Sequence, residues 1–331
     1  MSAAPTAVFP WFSRLPRLGT AEDFAALRRL FDRSGYGLEA IRRRLKIESL
    51  RDYSKPRPAP VLVDALDALI ALFFECGFVD EAKLGAVLPP GSAALLDRME
   101  LLARDPQHPG QVFAPAAILP VSGYLTLCDR ACGPDGVRRG VPSDVVYPPA
   151  FQTTESFLAE LPDTPCEALL DLGTGAGIAA LLGARHARHV WAADILPRAA
   201  HFAEFNRRLA GVENLAVVQG DLFAPVEGLT FDRIVIHPPY VPAKQAKHVF
   251  ADAGDDGELV IRRAIERCLS FCVLAAGSIP SRWPPIGVAR PSSSASANGW
   301  AMTKTSLILS WVSTSCGPLW SFWQLESCWD I

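Results

Sequence analysis

Residues 168–177 read Ala-Leu-Leu-Asp-Leu-Gly-Thr-Gly-Ala-Gly, and no other stretch of the chain restricts its fold as strongly. An apolar run short enough for one strand ends in a carboxylate, Asp171, and passes into three glycines at alternate positions. Glycine tolerates the left-handed backbone of a tight turn and lets the main chain approach a ligand closely. The apolar helix that follows presents free amides at its start. Such a turn joins a strand to a helix at the carboxyl edge of a parallel sheet. Dinucleotide enzymes use a similar turn, but a carboxylate just ahead of the loop repels a pyrophosphate and suits a ligand carrying positive charge.

The same texture repeats downstream, so the chain predicts an α/β fold with a parallel sheet covered on both faces. Strands are predicted at 168–170, 190–193, 215–218 and 234–236. Helices are predicted at 177–183 and at 197–209, the latter with Pro197 in its first turn. The second strand ends in Asp194, where a carboxylate can accept hydrogen bonds from two ribose hydroxyls. The third runs into Gly220-Asp221-Leu222, placing another acid on the same rim. Three acids at successive strand ends fit one nucleoside-type ligand. Asp232, which opens the fourth strand, reads as structural.

The fourth strand leads into His237-Pro238-Pro239-Tyr240. Here the sequence resembles the class I methyltransferases of the "small domain" group, whose members include rRNA guanine-N2, adenine-N6 and release-factor glutamine methyltransferases and whose signature at this place is Asn/Asp-Pro-Pro-Tyr. A closer resemblance is to a bacterial subgroup with HPPY followed by a Gly-Asp-Asp-Gly-Glu stretch, here Gly254–Glu258. The resemblance implies a Rossmann-like class I sheet with S-adenosylmethionine (SAM) as cofactor. It implies that Asp171, Gly173, Thr174, Gly175, Gly177, Asp194, Ile195, Asp221, Leu222 and His237 line the cofactor, with Thr154, beside Glu155, over its methionine end. His237, Pro238, Pro239 and Tyr240 are implied to hold the acceptor. Histidine is the departure: neutral imidazole offers one donor and one acceptor on opposite sides of the ring, so it orients an N–H or takes a proton.

Ahead of this unit the chain predicts a mostly helical domain over 1–110, read as winged-helix-like, and a small β-rich segment over 111–150; the methyltransferase unit is set at 151–276. Phe24, Leu27, Leu30 and Phe31 recur at helical spacing, and a second helix is expected from about Leu62 to Cys76. Residues 1–57 hold twelve Lys/Arg against six Asp/Glu, a net of +6 in a chain whose total is −3. That arm, with Arg42, Arg43, Arg44 and Lys46 at its centre, predicts a polyanionic partner, namely ribosomal RNA. N-methylation of a planar amide or nucleobase, with ribosomal RNA the favoured substrate, is therefore the first expectation. A protein glutamine substrate, or a SAM-binding chain without catalysis, is the alternative. Eight cysteines without a CxxC pair predict reduced thiols and no metal. Neither a signal peptide nor a convincing membrane span is read, so a cytoplasmic protein is expected.

From residue 277 the texture changes. Five charged residues remain in 55, against 62 in the preceding 276, and six of the eight tryptophans fall there. Residues 277–331 are expected to be disordered or out of frame, with the last strands of the sheet lost or scrambled.

Overall fold

The computed structural model describes residues 14–57, 60–138, 142–239, 254–271 and 306–309. Helix α1 (Ala21–Ser34) starts where Thr20 and Asp23 exchange side-chain and backbone hydrogen bonds, a capping box, and ends at Gly35 in the left-handed region. Its buried stripe is the predicted one, Phe24, Leu27, Leu30 and Phe31. After α2 (Leu38–Leu45) comes α3 (Ala65–Leu69). It begins three residues later than the apolar pattern suggests, because the Asp64 carboxylate accepts the Asp67 N–H and fixes the first turn there. It continues as a fully buried π-helical turn, Ile70–Phe74.

Strands β1 (Val79–Asp80), β2 (Ala103–Arg104) and β3 (Gln111–Phe113) form a small antiparallel sheet in the order β1-β3-β2, with helices α4 (Glu81–Val87) and α5 (Ser92–Arg98) between the first two. Strands β4 (Ala117–Val121) and β5 (Tyr124–Cys128) make a hairpin. Its two turn residues, Ser122 and Gly123, both have positive φ, the geometry that matches strand twist. The hairpin was expected beside a winged helix; its second strand instead packs along a helix of the large sheet, α8 below.

That sheet is parallel throughout. Helix α6 (Gln152–Ala159) precedes β6 (Cys166–Leu172), α7 (Ile178–Gly183), β7 (Ala187–Asp194), α8 (Pro197–Ala210), β8 (Leu215–Gln219), β9 (Arg233–Ile236) and α9 (Leu259–Phe271). The order is β10-β9-β6-β7-β8. The chain therefore moves outward from β6 to β8 and then returns to the other side of β6. The crevice above the carboxyl ends of β6 and β9 lies at that reversal, where open sheets of this kind bind ligands. The four predicted strands are all present. Within the tail, which was expected to be disordered or out of frame with the last strands lost or scrambled, β10 (Ser306–Leu309) pairs in parallel with β9, from Ser306 opposite Arg233 to Leu309 opposite Ile236. That pairing gives the β9 edge backbone partners it would otherwise lack. The rest of 277–331 lies outside the described residues.

Alternation along β6 sends Leu169 to one face and Leu170 to the other. The Leu170 face packs on α9 through Phe223, Phe231, Cys268 and Phe271. The Leu169 face belongs to a cluster that runs without a break into the N-terminal half. There α1 docks on α8, with Phe24 and Phe205 edge to face at 4.9 Å.

Candidate active site

A cavity of about 940 Å³ opens at the sheet reversal, large enough for a nucleoside-sized ligand and part of an acceptor. Asp171 is 2% exposed. Its Oδ2 accepts the Thr174 hydroxyl at 2.6 Å and the Ala180 N–H at 3.1 Å, which ties strand, loop and helix together. Burial pushes its carboxyl up to about 7. Gly173 and Gly175 have φ of 69° and 56°, and a Cβ on either would meet no protein atom within 4 Å. Only the cavity lies before them.

Gly177 differs. It does not line the cavity; its φ is 82° and a Cβ there would sit 3.1 Å from Ala203 Cβ and 3.2 Å from Ala203 Cα. Close packing of the loop against α8, rather than ligand contact, accounts for this glycine.

Asp194 ends β7 with both carboxylate oxygens engaged, Oδ2 by Gly175 N–H and Oδ1 by Leu196 N–H, each at 2.9 Å. Each oxygen keeps a lone pair for a hydroxyl donor. Burial raises this carboxyl too. Beside it Ile195, 53% exposed, offers an apolar face to the cavity. Asp221 lines the same rim, but its Oδ2 is bound by Arg263 of α9 at 2.6 Å. Leu222 holds φ of 48°, an unusual value for a branched residue and one that marks functional loops.

On the far side of the crevice Thr154 lines the cavity from α6. It is not the helix cap; Phe151 occupies that position, without a side-chain hydrogen bond. Glu155 faces solvent. His237, directly after β9, lies against the Phe157 ring with centroids 4.9 Å apart and planes 17° apart. Its Nε2 is buried with no hydrogen-bond partner. Desolvation lowers its pKa to about 4, so the ring is neutral at pH 7. Pro238 and Pro239 line the cavity beside it, while Tyr240 lies outside the described residues. Asp232 is structural as expected, accepting the Glu167 and Ala168 N–H groups.

Residues that the sequence did not single out also reach this place. Arg263 covers Asp221, and Arg51 lines the cavity from the N-terminal half; neither stands in a pattern that a single sequence reveals. The basic arm is partly consumed internally. Arg44 binds Asp64 and Asp67, Arg42 binds Glu39, and Arg28 donates to the last carbonyls of α8, whereas Arg43 and Lys46 are exposed. Among the described residues no cluster of His, Cys, Asp and Glu is arranged to hold a metal, and no helix is long and apolar enough to cross a membrane.

Three acids and two open glycines suit a ligand with hydroxyls and positive charge, and His237, whose Nε2 lacks a partner, lines the same cavity. Comparison with known proteins agrees with that chemistry. The model of the methyltransferase small domain matches residues 152–256. The release factor glutamine methyltransferase of Moorella thermoacetica is 30% identical over 202 residues, 56% of this chain and 69% of that protein. The Escherichia coli K12 protein of the same name is 39% identical over 89 residues, 26% of this chain; this chain spans 32% of its length. The ribosomal protein uL3 glutamine methyltransferase of Bradyrhizobium diazoefficiens is 37% identical over 116 residues, 31% of this chain and 36% of its own. Among solved structures, ribosomal protein L11 methylase from Lactobacillus delbrueckii subsp. bulgaricus aligns at 24% identity over 37% of this chain and 53% of its own, with a TM-score of 0.28. The chain belongs to the class I, S-adenosylmethionine-dependent methyltransferases of the small-domain family.

Proposed function

We propose that this protein methylates the side-chain amide nitrogen of glutamine in a protein of the translation apparatus. The observation that carries the reading is the His237 ring, neutral, wedged against Phe157 and with a buried nitrogen lacking a partner. Such a group matches a planar amide, which brings both an N–H and a C=O, better than it matches a charged acceptor.

S-adenosylmethionine supplies a methyl group on a positively charged sulfur, open to direct displacement. The residues of this chain bind and align. Asp171, Gly173, Thr174 and Gly175 hold the methionine end, with Thr154 across from them; Asp194 and Ile195 take the ribose; Asp221 and Leu222 border the base. His237, Pro238 and Pro239, with Tyr240, seat the acceptor. With its pKa at about 4, His237 is a weak base, and its work is to fix the amide so that the nitrogen lone pair points at the methyl carbon. The amide N–H proton is lost to solvent once the nitrogen has been alkylated and acidified.

Two findings favour protein over the ribosomal RNA first expected. Relatives of this chain are named as glutamine methyltransferases of release factors and of ribosomal protein uL3. Two of the four cations at the centre of the basic arm, Arg42 and Arg44, pair with carboxylates within the fold. A translation-protein substrate also implies a cytoplasmic location.

The test is to incubate the protein with methyl-labelled SAM and, separately, purified peptide-release factor, purified uL3 and total ribosomal RNA, all from a strain lacking glutamine methylation. Label in protein, located by mass spectrometry on a glutamine amide, is expected. Label confined to RNA overturns the proposal in favour of a base methyltransferase.

A further inference from the structure

Two buried side chains join the hairpin to α8 beside the cavity. Arg198 lies in the first turn of α8, immediately after the Asp194–Leu196 loop. Asp129 follows β5, the second hairpin strand. The Arg198 guanidinium meets the Asp129 carboxylate with both prongs, Nε to Oδ2 at 2.8 Å and Nη2 to Oδ1 at 2.5 Å, and its carbon sits 5.2 Å from the Phe202 ring centre. The two side chains are 7% and 1% exposed.

Burying two charges costs several kcal/mol per ion, and well-packed apolar residues in their place often do as well or better. Stability is therefore a poor account of the pair. Direction is a better one. The fork fixes the carboxylate plane, and the same Oδ2 then accepts the Val146 N–H at 2.8 Å while the Asp129 N–H donates to the Val146 carbonyl at 3.1 Å. Val146 is thus held on both sides by one residue. It belongs to the segment Val145–Pro149, which lines the same cavity as the Asp194–Leu196 loop.

About two turns further along, α8 grips the hairpin again. The Asn206 amide accepts the Leu127 N–H at 2.7 Å and donates to the Leu127 carbonyl at 3.0 Å and to Ala176 O of the glycine loop at 2.8 Å. Both walls are hung from the same helix.

We propose that Arg198 and Asp129 are positioning residues for the cofactor: their ion pair sets the spacing between the Val145–Tyr147 wall and the Asp194–Leu196 loop, and through it the affinity for the nucleoside ligand. This rests on the reading that the cavity holds S-adenosylmethionine.

The experiment is calorimetric titration of the full chain with S-adenosylhomocysteine. Wild type comes first, and if it binds none, the assignment of the cavity fails, not the clamp. Arg198→Lys keeps the charge and loses the fork. The double variant Asp129→Asn/Arg198→Met removes both charges at similar volume. Leu95→Ala, in the N-terminal core and away from the cavity, serves as a control for destabilisation alone. Binding is expected to weaken about tenfold in Arg198→Lys and about 10–100-fold in the double variant, the scale set by small misplacements of a binding group. The Leu95→Ala protein should bind within twofold of wild type although it melts earlier. Hydrogen exchange at the Val146 amide should accelerate in both clamp variants. If the double variant does not fold, Arg198→Lys decides alone. Affinity within twofold of wild type in a folded clamp variant overturns the proposal.

Discussion

Asp171→Asn is expected to make the ligand-free protein more stable at alkaline pH and, at the same time, poor at binding its cofactor. Burial holds the Asp171 carboxyl at about 7, against an ordinary 3.8. In the unfolded chain the group ionises at its ordinary value, while in the native protein it keeps its proton to about 7. Between these values the native state binds more protons, so its stability falls as pH rises, by about 1.4 kcal/mol per pH unit. By pH 8 the accumulated cost is about 4 kcal/mol as an upper bound. Asparagine has no charge to desolvate, and its amide oxygen still accepts from Thr174 and Ala180, though more weakly than a carboxylate. A net gain of about 1–3 kcal/mol at pH 8, vanishing near pH 4, follows. Urea unfolding of the two proteins at pH 5 and pH 8 measures it: the gap should open with pH. Affinity moves the other way. Losing a charge-assisted contact to a cationic ligand costs about 1.5–3 kcal/mol, or about ten- to a hundredfold in Kd. Wild-type affinity should itself rise between pH 6 and pH 8 as Asp171 ionises. An asparagine variant that is less stable than wild type at pH 8, or that binds S-adenosylhomocysteine equally well, would refute the argument.

Gly177→Ala should lower stability by about 1–3 kcal/mol, because φ of 82° and the Ala203 contact both oppose a Cβ; Gly173→Ala meets only the backbone strain of its φ of 69°, about 1–2 kcal/mol, and its Cβ, entering the cavity, should also cost cofactor affinity in calorimetry. Methyl transfer should show no titration assignable to His237 between pH 6 and pH 8, since its pKa is about 4. His237→Asn should keep most activity while His237→Ala loses it, and a pH–rate step near 6.5 that disappears in the asparagine variant would restore the general-base role. Arg44→Glu should destabilise by about 1–3 kcal/mol in urea unfolding by leaving buried Asp67 unpaired, whereas Arg43→Glu/Lys46→Glu should leave the fold unchanged and reduce any RNA retention on a filter assay.

The parallel sheet was readable because strands buried on both faces are short unbroken apolar runs, and because the βα period puts Asp171, Asp194 and Asp221 at one rim. Side-chain partners across long separations were not. Nothing near Asp221 announces Arg263, 42 residues away, and nothing near Cys128 announces that the next residue is gripped by Arg198. The glycine pattern was ambiguous in a different way, since one letter serves both an open turn at Gly173 and a tight helix contact at Gly177. Counting charge in residues 1–57 found the excess but not its use, because Arg28 and Arg44 meet their partners only after folding. In the tail, Ser306–Leu309 has no charge pattern to distinguish it from its surroundings, and its pairing with β9 is a tertiary fact.

The docking of α1 on α8 has a consequence for synthesis. Arg28 reaches the carbonyl of Arg208 across 180 residues of chain, and Phe24 meets Phe205 over a similar span. The chain grows at about 5–20 residues per second. Helix α1 therefore emerges from the ribosome and waits about 10–40 seconds before its partner exists. Phe31 finds Tyr36 and Phe73 early, but during that interval Phe24 is without its final cover, an invitation to a holding chaperone. Contacts this distant also make folding slow once the chain is free.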